Sequence, residues 1–135
     1  MRIDYEYIKS ILDIFLESKK PTVDLNTFRS LHEANEDNFI FHVEICADKG
    51  LITGAFKDRS IGISLGHDGY YCSVVPWRLT ADGHDFAAAL NKPSIMGILK
   101  EKLKAESLSV VISVTKKLAE RLVEDQVFER IGKIT

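Results

Sequence analysis

The chain has few of the residues that build cross-linked or metal-bound scaffolds. Its 135 residues include two cysteines, Cys46 and Cys72, which lie far apart in apolar surroundings and form no C-x-x-C pair. We therefore expect neither a disulfide nor a zinc site, and both thiols are predicted to be buried in a reducing compartment. The uncharged runs, such as IGISLG, are far too short to span a bilayer.

Catalytic motifs and an excess of positive charge are also missing. There is no G-x-S-x-G, no phosphate-binding loop and no dinucleotide glycine pattern, so we expect a protein that is not an enzyme and needs no cofactor. The 18 basic and 20 acidic residues give a net charge of −2, and any affinity for DNA would need a local basic patch. The opening MRIDYEYIKS is too acidic for a signal peptide, which predicts a soluble, cytoplasmic protein.

The helical periodicity of the N-terminal part predicts three helices. The first covers 4–18 with Asp4 as N-cap, and the second is capped by Asn26. The third follows Asn35 or Asp37, and glycine at position 50 ends it. Its predicted buried stripe consists of Phe39, Val43, Cys46 and Ala47.

The segment after the third helix predicts strands and then further helices. LITGAFK, RSIGISLGHDG and YYCSVVPWRL have strand character, and turn residues separate the last two. A helix over 81–90 follows, Pro93 closes that segment, and two more helices cover 94–104 and about 107–130. Three helices followed by a β-hairpin predict an α+β winged helix-turn-helix domain at 1–92, with a C-terminal helical extension at 93–135.

The stretch RLTADGHDF, from Arg78 to Phe86, resembles the L-T-x-x-G-H-[DE]-F signature of a family of small phage and bacterial proteins of unknown function. MRIDYEYIKSIL, FHVEICADKGLI and ISVTKKLAERL also resemble that family, so the similarity covers most of the chain. The resemblance implies a winged-helix fold with the signature directly after the wing. It implies no activity.

Two His-Asp pairs raise the alternative of a metal-dependent hydrolase, in which such side chains converge on metal ions. His67-Asp68 lies in a predicted turn, and His84-Asp85 lies near the start of a helix with alanines at the following ligand positions. The favoured interpretation is structural: Thr80 caps the helix, and Phe86 enters the core. Hydrolase activity stays the weakest alternative, and no metal ligands are assigned.

A winged helix predicts double-stranded DNA as partner, with the third helix in the major groove and the wing on the backbone. The candidate DNA contacts are Arg29, Asn38, His42, Lys49, Lys57 and Arg59. The third helix also carries four acids, which phosphates would repel, and Phe41 and Ile45 on its outer side would suit a protein. The protein is therefore interpreted as a DNA-binding regulator or accessory factor, with a protein-interaction module as the alternative.

The C-terminal extension contains a long amphipathic helix whose apolar face needs a second surface. Either it folds back on the N-terminal helix, or it pairs with a second subunit. We expect a homodimer, by analogy with winged-helix regulators that dimerise through such appendages. The predicted interface residues are Leu108, Val111, Ile112, Thr115, Leu118 and Leu122.

Overall fold

The computed structural model describes residues 1–134, and the chain divides into two compact units, Met1–Ala87 and the part from Ala88 onward. The mixture of helices with small antiparallel sheets confirms the α+β class. Among the described residues, no helix is both long and apolar enough to cross a membrane. The division into 1–92 and 93–135 stays a prediction.

The first unit begins with helix α1, Tyr5–Glu17, and the predicted N-cap is confirmed. The Asp4 carboxylate accepts hydrogen bonds from the backbone N–H groups of Glu6 and Tyr7. A 3₁₀ turn, Leu25–Phe28, then leads into helix α2, Arg29–Ala34. Asn26 was predicted as the cap here, but Asp24 is the capping residue. The Asp24 carboxylate accepts from the Asn26 N–H, and the Thr27 hydroxyl accepts from the Asp24 N–H.

Helix α3, Glu36–Asp48, is capped by Asn35, whose side chain accepts from the Asn38 N–H. Phe39, Val43 and Cys46 are buried as predicted, whereas Ala47 is half-buried. Two further side chains on α3, those of Ile40 and His42, are also buried. The helix therefore packs over a wider arc than one stripe, because α1, α2 and β1 all contact it.

Two short strands, β1 (Ile52–Gly54) and β4 (Trp77–Leu79), pair antiparallel at the centre of the unit. Val23 lies on the other side of β4 and exchanges two backbone hydrogen bonds with Trp77, at 2.9 and 2.6 Å. The backbone order across this sheet is therefore Val23, β4, β1.

The chain between β1 and β4, residues 55–76, forms what we call the β-arm. Its outer part is a hairpin of β2 (Ile63–Gly66) and β3 (Gly69–Cys72), with Ile63 opposite Cys72. YYCSVVPWRL was predicted as one strand, and that was wrong: β3 and β4 are separated by residues 73–76. At the base of the arm, the Trp77 indole N–H donates to the Ile61 carbonyl at 2.9 Å.

The core of the first unit contains an aromatic cluster around Phe28. Its ring centroid lies 5.4 Å from Phe15, 5.6 Å from Phe39 and 5.4 Å from Trp77, all in tilted arrangements. Aromatic pairs at these separations contribute beyond the area that they bury. The cluster ties α1, the 3₁₀ turn, α3 and β4 together, and so fixes the position of α3.

Helix α4, Ala81–Leu90, begins at the LTADGHDF stretch. The Thr80 hydroxyl accepts from the Gly83 N–H at 3.0 Å and donates to the carbonyls of Gly50 and Leu51, which confirms the predicted cap. A Cβ at Gly83 would lie 1.9 Å from the Leu51 carbonyl oxygen. The threonine and the glycine therefore serve the close approach of α4 to the chain before β1, and Phe86 is buried as predicted.

The second unit contains the end of α4, helix α5 (Pro93–Ile98), a π-helical turn (Leu99–Leu103) and helix α6 (Leu108–Ile134). Pro93 was predicted to close a segment, but it opens α5, because a proline at the first helical position loses no helical hydrogen bond. Helix α6 contacts α5 and the π-helical turn.

Candidate functional site

The outer surface of α3 is acidic. The exposed residues of the helix are Glu36, Asp37, Glu44 and Asp48, which we call the acidic face. Every other residue of α3 is buried or half-buried, including Phe41 and Ile45, which the sequence placed outside the core. The part of α3 that a partner would meet first therefore carries negative charge.

His42 was predicted as a DNA contact, and the structure contradicts this. The ring is fully buried and lies 4.7 Å from the Tyr7 ring, between centroids. The backbone N–H of Asp4 donates to His42 Nε2 at 2.9 Å, and His42 Nδ1 lies 2.8 Å from the Asn38 carbonyl oxygen. Since Nε2 accepts, Nδ1 carries the proton and donates. His42 joins the start of α1 to α3 and has no surface left for a ligand.

Asn38, predicted to read a base edge, is half-buried. Its backbone is engaged at both polar groups, the N–H with the Asn35 cap and the carbonyl with His42. Asn38 therefore lies in the first turn of α3, where both of its backbone polar groups already have partners.

The four basic residues predicted as DNA contacts are all exposed, on three separate segments. Arg29 opens α2, and its Nε lies 4.0 Å from a Glu33 carboxylate oxygen in a solvated pair of little energetic weight. Lys49 follows the acidic face directly. Lys57 and Arg59 lie in the β-arm, where Arg59 is the one described non-glycine residue with a positive φ, 60°.

The β-arm reaches the acidic face at Asp37. Tyr70 Oη on β3 donates to Asp37 Oδ1 at 2.9 Å. This hydrogen bond, with smaller contributions from burial and from the charges of Asp37, Glu44 and Glu36, raises the pKa of Tyr70. Burial and the Glu36 charge raise the pKa of Cys72. The carboxylates of α3 therefore contribute to the raised pKa of both Tyr70 and Cys72.

The contact between Tyr70 and Asp37 was missed at the sequence level. The two residues are 33 positions apart, and the stretch that contains Tyr70, YYCSVVPWRL, was interpreted only as a strand. The available signal was the alternation along β3, which sends Tyr70 and Tyr71 to opposite faces of the hairpin. Tyr71 is 61% exposed, and its ring covers Gly66 across the hairpin.

The β-arm also exposes apolar side chains. Leu65, at the tip of the hairpin, is 76% exposed, and Phe56 and Val74 are exposed at 57% and 56%. Apolar side chains grouped beside polar ones are typical of surfaces that meet other proteins.

The two His-Asp pairs do not form a metal centre among the described residues, where no group of three or more His, Cys, Asp or Glu side chains could hold an ion. His67 and Asp68 lie in the turn of the β2–β3 hairpin, whereas His84 and Asp85 are exposed on α4. Both cysteines are free. Cys46 is buried, as predicted, and burial raises the pKa of its thiol to about 12, but Cys72 is half-buried.

The predicted dimer residues on α6 are largely used within the chain. Leu108, Val111 and Thr115 are buried, so they are not available to a second subunit, which corrects that assignment. Ile112, Leu118 and Leu122 are half-buried. Residues 123–132 are all exposed, and four of them are large and apolar: Val123, Val127, Phe128 and Ile131.

A comparison with known families identifies the chain. Residues 2–109 match the model of a family described as "Hypothetical protein (DUF2513)", and the chain belongs to this family. No curated protein matches the chain. No solved structure matches it either.

Proposed function

We propose that this member of the hypothetical-protein family is a protein-binding module built on a winged helix. Three helices precede β1, and Val23, between α1 and α2, pairs with β4. The sheet order Val23, β4, β1 supports this fold, since a winged helix places its first strand between helices one and two. The β-arm then takes the place of the wing, and α3 takes the place of the recognition helix.

The observation that carries the proposal is the acidic face of α3. A recognition helix that enters the major groove lies among phosphates, and its exposed carboxylates would be repelled there. The same carboxylates attract a basic protein surface. The exposed Leu65 and Phe56 of the β-arm add apolar area of the kind that protein partners bury. The partner is therefore proposed to be a protein that presents basic and apolar side chains.

The test uses an arginine-rich peptide as a probe of this chemistry. We expect the wild-type protein to bind it, and Glu44→Gln/Asp48→Asn to bind several-fold more weakly. The matched control is Asp82→Asn/Asp85→Asn, which makes the same change of charge on α4. Equal binding by the two variants would mean that only net charge attracts the peptide, and would contradict the proposal.

DNA binding through the β-arm is the second candidate. It is favoured by the exposed Lys57 and Arg59, and by the left-handed backbone of Arg59, since strained non-glycine residues often occur at functional sites. This candidate no longer includes His42. It requires that the arm contact the backbone while α3 stays out of the groove.

Self-association is proposed for residues 116–132 of α6, of which 123–132 are all exposed. Most of the stability of a helix in a protein comes from packing of its apolar face, and four large apolar side chains of this segment are exposed. Between residues 116 and 130 the helix carries four basic residues (Lys116, Lys117, Arg121, Arg130) and four acidic ones (Glu120, Glu124, Asp125, Glu129). Two copies of this segment therefore have no net charge and do not repel, which favours a second copy of the chain as the occupant.

A further inference from the structure

The hairpin at the end of the β-arm is fastened to α3 by the side chain of Tyr70. Tyr70 and Cys72 lie on one face of the hairpin, because they are two residues apart on β3. Tyr70 donates to Asp37, and the pKa of both Tyr70 and Cys72 responds to carboxylates of the acidic face. On this face Tyr70 reaches α3 and Cys72 is half-buried, whereas Leu65, opposite Tyr70 in the pairing, is 76% exposed.

The rest of the hairpin is held by the arm itself. Its strands pair with each other from Ile63–Cys72 to Gly66–Gly69. At its base the Ser73 N–H donates to the Gly62 carbonyl at 2.7 Å, within the arm. The strand pairing of the hairpin therefore does not use α3, and the Tyr70–Asp37 hydrogen bond links the hairpin to α3 through a side chain.

We infer that the bond between Tyr70 and Asp37 is a latch that holds the β-arm beside α3, and that opening it frees the Asp37 carboxylate for a partner. The arm and a basic partner would then compete for Asp37. The competition rests on the proposed function, whereas the latch itself does not.

Two neighbouring substitutions test the latch with minimal change of volume. Tyr70→Phe removes the hydroxyl that Asp37 accepts, and Tyr71→Phe removes a hydroxyl from the opposite face of the same strand. The first readout is the labelling rate of Cys72 with a thiol reagent in the native protein, since Cys72 is half-buried and lies on the same face of the hairpin as Tyr70. Cys46 is buried and does not interfere.

We expect labelling of Cys72 to be several-fold faster in Tyr70→Phe and unchanged in Tyr71→Phe. An unchanged rate in Tyr70→Phe, or an equal increase in both variants, would refute the latch.

The second readout is binding of the arginine-rich peptide, which we expect to be several-fold tighter for Tyr70→Phe than for wild type. Faster labelling without tighter binding would contradict the competition between arm and partner. If the peptide binds neither protein, the proposed function fails, while the labelling rates still decide the latch.

Discussion

Substitution of His42 tests the account directly. A buried link between α1 and α3 predicts a loss of stability, whereas a DNA contact on the surface predicts no change in stability. As a buried link, His42 accepts from the Asp4 N–H and donates to the Asn38 carbonyl, and each bond contributes about 1 kcal/mol net. His42→Phe keeps the ring but removes both bonds, so we expect a loss of about 2 kcal/mol in the free energy of unfolding. His42→Ala also leaves a cavity and is expected to cost about 3–5 kcal/mol.

Urea unfolding followed by the fluorescence of Trp77, the one tryptophan, reports on this unit. A loss of about 2 kcal/mol lowers the midpoint by about 1–2 M urea at an m-value of about 1–2 kcal/mol/M. The control is His84→Ala, which removes an exposed histidine on α4 and should change stability by less than about 0.5 kcal/mol. Wild-type stability in His42→Phe and His42→Ala would refute the structural role and restore the predicted surface role.

Three further outcomes are expected. Gly83→Ala places its Cβ against the Leu51 backbone and should destabilise the protein by about 3 kcal/mol or prevent folding. Gly97→Ala, in α5, places its Cβ where no atom lies within 4 Å and should stabilise the protein by about 0.5–1 kcal/mol. Thermal unfolding compares the two variants with wild type. Burial raises the pKa of the Cys46 thiol from 9.0 to about 12, so above about pH 9 the thiol ionises in the unfolded chain before it does in the folded protein. The free energy of unfolding should therefore fall with pH by up to about 1.4 kcal/mol per pH unit more steeply in wild type than in Cys46→Ala. Parallel pH profiles of the two proteins would contradict this. Phe128→Ser should shift the mass from light scattering toward that of a monomer, and Val110→Ser should not; a wild-type monomer would exclude self-association through α6.

Local features of the fold could be predicted from the sequence. Asp4 caps α1, and Thr80 caps α4, because a capping side chain bonds N–H groups two or three residues away. The positive φ of Gly50, 67°, likewise follows from its place after α3. In each case the residues that interact are close along the chain.

Features that depend on distant contacts could not be predicted. His42 resembled a surface residue because its partner, the Asp4 N–H, is 38 positions away. Tyr70 and Asp37 are separated by 33 positions. The apolar face predicted for α6 is buried only near the start of the helix, because periodicity does not say which turns the chain itself covers. It covers Leu108 and Val111, and leaves residues 123–132 exposed.

The most direct test of the central claim is the binding of mixed duplex DNA across a salt series, with wild type and Lys57→Ala/Arg59→Ala. The acidic face predicts no salt-dependent binding by either protein, even at low salt, because phosphates would meet carboxylates on α3. Wild-type binding that weakens steeply with salt, and weakens again in the double variant, would contradict the protein-binding account and establish the β-arm as a DNA contact.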